Sequence, residues 1–142
     1  MQVRDIMTPD VQVVAPEATV QEAASLMRGL DVGPLPVCDG ERLVGMLTDR
    51  DIVVRSTAQG QDPKSTPVRE VMTPEVIFCF EDQDVEEAAE LMRQHQVRRL
   101  LVLTRKKNVA GIVSLGDLAV EGRDDEMAGE TLEKVSEPVG KP

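Results

Sequence analysis

Two copies of a short hydroxyl–carboxylate motif are the residues of this sequence with the clearest chemistry. Thr48 stands three positions before Asp51, Ser114 stands three positions before Asp117, and each pair follows a glycine by three residues. In one interpretation the motif caps a helix, with the hydroxyl accepting the amide hydrogen and the carboxylate bonding back to the backbone. In the other it is a ligand site, because unpaired amides at a helix start favour an anion.

Both motifs belong to an internal repeat that fills most of the 142-residue chain. The segment from Val3 to Pro9 returns 65 positions later as Val68 to Pro74, and both copies end in Met-Thr-Pro. After one inserted residue the offset becomes 66, which aligns Gly45 with Gly111. Two copies of one supersecondary unit are therefore predicted. Because duplication tends to build a cleft, we expect function between the copies.

Composition excludes several classes of function. A repeat of roughly 50–60 residues is marginal alone, so the copies are expected to share a core. The apolar fraction is 41% without Trp or Tyr, and the net charge is −10. An acidic chain with only Phe78 and Phe80 as aromatic residues disfavours binding to nucleic acid or an anionic membrane. With no membrane-length apolar run or signal-peptide core, the sequence predicts a soluble cytoplasmic protein.

Hydrophobic patterning predicts the order strand, helix, strand, strand, helix in each copy. A first strand is expected over Val11–Val14, followed by a helix that Thr19 and Glu22 open as a capping box. In the second copy Asp84 is the expected cap, with Glu87 as its partner. Two hairpins and two exit helices should follow, with strands at 33–38 and 43–47 and at 99–104 and 109–113, and with exit helices beginning at Thr48 and Ser114.

The predicted domain boundaries follow from this pattern. They are repeat 1 at 1–58, a linker at 59–67, repeat 2 at 68–122 and an acidic C-terminal tail at 123–142. The tail is expected to hold one or two amphipathic turns around Ala128, Leu132 and Val135, and then a frayed end.

No set of residues indicates catalysis. Cys38 and Cys79 lack metal-ligand spacing and are predicted to be buried reduced thiols, with a disulfide or a shared metal as the alternative. His95, the only histidine, is expected at the end of a helix, and the acids at 124–126 are expected to be solvated. We predict neither an enzyme nor a required cofactor.

The motifs together resemble a known family. A βαββα unit in tandem, with Met-Thr-Pro at its entrance and Gly-x-x-[Ser/Thr]-x-x-Asp at its exit, resembles the CBS domain pair, or Bateman module, as in small stand-alone bacterial proteins. The resemblance covers about residues 1–120. It implies an α+β fold, two repeats around a pseudo-two-fold axis, two clefts for adenosine-type ligands, and a homodimer of four repeats.

The resemblance also assigns roles to residues. It implies that Asp51 and Asp117 accept hydrogen bonds from ribose hydroxyls, while Thr48 and Ser114 face a phosphate. The secondary candidates that it implies are Thr19 and Asp84, which would border the ligand as well as cap helices. The charges of the residues themselves add Arg50 as a cation on the first exit helix, and Arg98 or Arg99 as a phosphate ligand.

The two sites are not expected to be equivalent. Arg98-Arg99 replaces Gly33-Pro34 of the first copy, so only the second copy offers a guanidinium at this position. The alternative for both arginines is a solvated charge at an edge strand.

Two functional hypotheses follow. The first is a regulatory module that binds AMP, ADP, ATP or a relative and signals to an unidentified protein effector by a change of conformation or stability. The alternative is a ligand-free structural or interaction dimer, in which both exit motifs serve only as helix caps.

Overall fold

The structure is a computed structural model that describes residues 1–120 and 125–136, and the chain divides into two compact units. Unit 1 combines Met1–Val11 with the chain from Ile77 onwards, and unit 2 is Gln12–Val76. The entrance segment of each repeat therefore belongs to the compact unit that holds the hairpin and exit motif of the other repeat. The repeat boundaries at 1–58 and 68–122 stay a prediction.

In each repeat the helix, two strands and exit helix follow the predicted order, whereas the first strand of repeat 1 does not. The main helices and strands are β1 (Thr8–Pro9), α1 (Val20–Leu30), β2 (Pro34–Asp39), β3 (Arg42–Thr48), α2 (Asp49–Asp51, continued by a π-helical turn over Ile52–Ser56), β4 (Phe78–Phe80), α3 (Val85–His95), β5 (Arg99–Leu103), β6 (Val109–Ser114), α4 (Leu115–Val120) and α5 (Asp125–Val135). Single 3₁₀ turns lie at Val3–Asp5, Thr57–Gln59 and Val68–Glu70. The fold class α+β is confirmed.

Unit 1 is built on a four-stranded sheet in the order β1-β6-β5-β4. β6 is antiparallel to β1 and β5, whereas β4 is parallel to β5. Helices α3, α4 and α5 pack against one another. The buried apolar side chains of its core include Val3, Ile6, Cys79, Ala88, Ala89, Met92, Leu100, Val102, Val113 and Leu118.

Unit 2 is built on the β2–β3 hairpin and α1. The apolar face of α1 (Val20, Ala23 and Met27) is buried, as the helical spacing predicts. The other buried members of its core are Val14, Leu35, Val37, Leu47, Val68 and Val71.

The strand predicted over Val11–Val14 is wrong. Only Val14 makes a sheet contact, a single parallel bridge to Val37, in which its amide donates to the Pro36 carbonyl. Val13 is 41% exposed, so the segment has no continuous buried face to hold it against a sheet. In the second copy the corresponding strand does form, as β4.

The capping predictions differ between the copies. At α1 the Thr19 hydroxyl accepts the Glu22 amide at 3.1 Å and Glu22 bonds back at 3.4 Å, as predicted. At α3 the Asp84–Glu87 capping box is wrong, because Asp84 accepts the amide of Glu86 at 2.9 Å. The Glu87 carboxylate instead accepts a hydrogen bond from Gln83 Nε2 at 2.7 Å. The first copy has Ala18 where the second has Gln83, so it lacks this competing donor.

Cys38 and Cys79 are both free and buried, in β2 and β4. Burial raises the pKa of the Cys38 thiol, and it raises the pKa of Cys79 to about 12. Both thiols are therefore protonated at neutral pH and are poor nucleophiles and metal ligands.

The predicted tail contains a longer helix than its sequence suggested. Helix α5 spans Asp125–Val135 and packs on α3 and α4. Val135 contacts the core of unit 1, whereas Leu132 is 45% exposed. The side chain of Ala128 and the predicted frayed end lie outside the described residues.

Candidate functional site

The exit motif of repeat 1 is a capping box in which both carboxylate oxygens of the acid have a partner. Thr48 Oγ1 accepts the Asp51 amide at 3.1 Å, and Asp51 Oδ2 accepts the Thr48 amide at 3.0 Å. Asp51 Oδ1 lies 3.8 Å from Nε of Arg55, whose Nη1 donates to the Met72 carbonyl at 3.3 Å. A ligand that used Asp51 would have to compete with this ion pair.

The exit motif of repeat 2 has the same cap but leaves one oxygen available. Ser114 Oγ accepts the Asp117 amide at 3.1 Å, and Asp117 Oδ2 accepts the Ser114 amide at 2.8 Å. Within residues 1–120 and 125–136, nothing donates to Asp117 Oδ1. Both side chains are half-buried, so this oxygen is available to a donor on a ligand.

A pocket of about 590 Å³ lies beside the Ser114 motif in unit 1. The start of β5 and the start of α4 are joined by the Leu115 amide, which donates to the Arg98 carbonyl at 2.9 Å. The pocket is lined by Arg98, Arg99, Ser114, Leu115, Gly116, Ala119, Gly129 and Leu132. Among the described residues its lining includes two arginines and no acidic residue, so this part of the pocket favours an anion with an apolar part.

The pocket brings together only some of the predicted site residues. Arg98, Arg99 and Ser114 line it, and Asp117 is bonded to Ser114 but is not in the lining. Asp84 caps α3, with its carboxylate 3.7 Å from the N-terminal amine of Met1.

The remaining two candidates belong to unit 2. The Thr19 hydroxyl is occupied by its cap at the start of α1. Arg50 is exposed on α2.

Gly129 and Leu132 are pocket residues that the sequence interpretation missed. Both come from α5, where the spacing of Leu132 with Ala128 and Val135 predicts one or two amphipathic turns but no ligand contact. The available signal was the glycine at 129, which stands within this amphipathic pattern and removes a side chain from one face of the helix.

Three further features of the described residues bear on function: the histidine, metal ligands and helix length. His95 is the last residue of α3, the position predicted for it. In the described part of the chain, no group of three or more His, Cys, Asp or Glu side chains could hold a metal ion. No helix among the same residues is long and apolar enough to cross a bilayer.

Comparison with known proteins gives the family. The CBS domain family model matches residues 3–56 and 68–123, which is both repeats. The chain belongs to the CBS domain family. CBS-domain pairs are regulatory modules, so the coarse class of function is set by this membership.

Three relatives cover nearly all of the chain. The CBS domain-containing protein YhcV of Bacillus subtilis is 49% identical over 134 residues, which is 94% of either chain. The crystal structure of hypoxic response protein I, with two coordinated zinc ions, has a TM-score of 0.75 at 38% identity, covering 85% of this chain and 98% of that one. CBSX2 in complex with AMP has a TM-score of 0.72 at 28% identity, covering 86% and 96%.

Proposed function

We propose that this protein is a regulatory module that binds an adenosine nucleotide, AMP, ADP, ATP or a relative, and that its principal site lies in unit 1. The observation that carries the proposal is a pocket beside Ser114 whose described lining includes Arg98 and Arg99 and no acidic residue. Asp117 is hydrogen-bonded to Ser114 and keeps one carboxylate oxygen without a donor among the described residues. The related CBSX2 in complex with AMP supports the choice of ligand class.

Each part of a nucleotide has a chemical counterpart at this site. Asp117 Oδ1 accepts hydrogen bonds from ribose hydroxyls, while Ser114 retains a hydroxyl proton to donate. Arg98 and Arg99 bind the phosphate, because guanidinium–phosphate pairs form charge-assisted, bidentate bonds. The apolar lining, which includes Leu115, contacts the base. α4 has only six residues, so the arginines rather than its dipole supply the main attraction for the anion.

The site in repeat 1 is proposed to be the weaker one. Thr48 and Asp51 offer the same motif, but Asp51 is already paired with Arg55. Arg50 is the cation on this exit helix, and no arginine pair stands at 33–34. Thr19 and Asp84 are assigned only to their caps, with a role at the ligand's edge kept as a secondary proposal.

Replacing Asp117 with alanine is expected to weaken nucleotide binding by at least about tenfold. Loss of a charge-assisted pair of hydrogen bonds costs on the order of 1.5–3 kcal/mol. Isothermal titration calorimetry with AMP, ADP, ATP and S-adenosylmethionine measures the change. Asp51→Ala is the matched control, because it removes the same kind of cap from the other repeat and should leave the stronger binding unchanged.

A second series separates phosphate recognition from ribose recognition. Arg98→Gln and Arg99→Gln should weaken ATP and AMP but not adenosine, since they remove charge without touching either cap. If neither arginine variant nor Asp117→Ala changes the affinity, the assignment of the site is wrong. If no adenosine ligand binds with better than millimolar affinity, the exit motifs are caps alone and the ligand-free interaction dimer takes the place of the sensor.

The proposed signal is a ligand-dependent change in conformation or stability that an unidentified protein effector detects. A ligand present at a hundred times its Kd stabilises the folded state by about 2.7 kcal/mol, which is large beside ordinary domain stabilities. Neither catalysis nor a required cofactor is part of the proposal. Two free buried cysteines fit the reducing cytoplasm that we propose as its location.

We also propose that two copies associate through the helices of unit 2. In unit 1, α5 packs on α3 and α4. In unit 2, α1 and α2 correspond to α3 and α4, but residues 57–76 contain only 3₁₀ turns and no helix that corresponds to α5. Apolar side chains are exposed on or just after these elements, namely Leu30, Val32, Val53 and Val54, at 43%, 40%, 59% and 47%. A second copy of the same surface would bury them symmetrically.

Val53→Asp is therefore expected to shift the protein from dimer to monomer in sedimentation velocity. A carboxylate in an apolar interface would be buried without a partner. Val13→Asp is the matched control, since Val13 is 41% exposed in the same unit but lies outside these helices. A wild-type protein that sediments as a monomer, or a Val53→Asp variant that remains dimeric, would rule this surface out.

A further inference from the structure

The C-terminal helix α5 is attached to unit 1 by contacts that repeat 1 cannot reproduce. Thr131 is fully buried, and its hydroxyl accepts a hydrogen bond from Arg93 Nη1 at 3.0 Å. Arg93 Nη2 also donates to Glu86 and to Glu90, both at 2.7 Å. The positions of Glu86 and Glu90 are occupied in repeat 1 by Gln21 and Ser25, so Arg28, the counterpart of Arg93, lacks both acids.

A second face of α5 forms one side of the pocket beside Ser114. Gly129 and Leu132 are three positions apart, which places them on one side of a helix. Leu132 is 45% exposed although the neighbouring Thr131 is fully buried. An apolar side chain left this open at the wall of a pocket is available to an apolar part of an occupant.

Gly129 leaves room in the pocket that any side chain would reduce. Among the described residues, a Cβ atom built at Gly129 meets no atom within 4 Å, although the residue lines the pocket. Glycine in a helix interior is unfavourable relative to alanine by roughly 0.5–1 kcal/mol, and packing against a neighbour does not require it here. The open volume in front of α5 is the feature that the glycine provides.

We propose that α5 is the outer wall of the repeat 2 pocket and that Gly129 determines the size of the ligand it admits. The inference rests on the proposed nucleotide-binding function and extends it to residues beyond the CBS repeats. Arg98 and Arg99 hold the anionic part of the ligand, while Leu132 on α5 and Leu115 on α4 contact its apolar part. The ligand is therefore an anion with a flat or compact apolar group, and part of its contact surface belongs to the C-terminal helix.

The deciding experiment fills the pocket from α5 without disturbing the attachment of the helix. In Gly129→Leu the new side chain projects into open space, and leucine raises helix propensity, so the thermal stability should not fall. Calorimetric titration with AMP, ADP and ATP should show affinity lowered by about tenfold or more, since the occupant loses its space. Gly129→Ala should have a smaller effect, and larger ligands should lose more affinity than smaller ones.

Gly29→Leu is the matched control. Gly29 is an exposed glycine near the end of helix α1 in unit 2, and its Cβ would also meet nothing within 4 Å. It should change helix propensity in the same direction and leave nucleotide affinity as in the wild type.

The outcomes distinguish this inference from the function on which it rests. Weaker nucleotide binding in Gly129→Leu, with wild-type affinity in Gly29→Leu, supports α5 as the wall of the pocket. Unchanged binding in Gly129→Leu together with loss in Asp117→Ala overturns the wall and leaves the nucleotide function standing. Absence of binding in the wild type overturns both.

Discussion

Replacing Gly111 with alanine should destabilise the protein by about 1–3 kcal/mol, the range that overpacking costs in a closely packed region. The Cβ of an alanine would stand 2.5 Å from the carbonyl oxygen of Thr8 and 3.0 Å from the sulfur of Met7. Thr8 and Pro9 form β1, which pairs with Ile112 and Gly111 of β6. Because the nearest atom is backbone, it can move only if β1 separates from the sheet.

Thermal denaturation followed by circular dichroism measures this effect, with roughly 4 °C of lowering expected for each kcal/mol in a domain of this size. Gly29→Ala is the control, because its Cβ is free of contacts and helix propensity should make it neutral or slightly stabilising. Gly45→Ala should also destabilise, since its Cβ would lie 2.8 Å from the Thr73 carbonyl. A Gly111→Ala variant as stable as the wild type would show that β1 is not held against β6.

These two glycines explain why both repeats carry Met-Thr-Pro and an exit glycine. Within unit 1 the Met-Thr-Pro of repeat 1 packs on Gly111 of repeat 2. Within unit 2 the Met-Thr-Pro of repeat 2 packs on Gly45 of repeat 1, with Met46 bridged to Thr73. Each motif is thus half of a close backbone contact whose other half lies in the other repeat.

Leu118→Ala is expected to lower the free energy of unfolding by about 2–5 kcal/mol, the cost of truncating a fully buried leucine. Leu118 is 0% exposed and packs in the core of unit 1 from the exit helix α4. The same helix carries Ser114 at its N-cap and the residues that face α5. Loosening α4 should therefore lower both the stability of unit 1 and the affinity of the pocket.

Val120→Ala, two positions further along α4, is the matched control. Val120 is 76% exposed, so its truncation should change the free energy of unfolding by only a few tenths of a kcal/mol. Urea denaturation of both variants, with the same calorimetric titrations, tests the pair. Equal stabilities for the two variants would mean that Leu118 does not anchor the exit helix.

The regular elements were predictable because local periodicity determines them. The apolar spacing in α1 and α3 and the turn residues between the paired strands act within a few positions of one another. The Thr48 and Ser114 caps were predicted for the same reason, and both are observed. Val11–Val14 was predicted as a strand on composition alone, which does not report whether a partner surface is present.

The arrangement of the candidate site could not be read from the sequence. Its pocket joins Arg98 and Ser114 to Gly129 and Leu132, and the tertiary packing of α5 on α3 and α4 brings them together. The Asp84–Glu87 box failed because Gln83 offers Glu87 a better-placed donor. Asp51 and Asp117 differ because Arg55, four positions after Asp51, pairs with the Asp51 carboxylate. Arg55 lies outside the four-residue motif, so the motif alone could not predict this ion pair.

The placement of β1 at the edge of the unit 1 sheet has a consequence for folding during synthesis. Thr8 and Pro9 leave the ribosome long before Ile112 and Gly111, their sheet partners in the described part of the chain, have been made. Until β6 emerges, Thr8 and Pro9 have no strand to pair with, and an unpaired segment is the state most open to proteases and to pairing with other chains. A fusion or tag that delays or blocks this segment would leave the edge of β6 exposed, so the order of synthesis sets when the sheet can close.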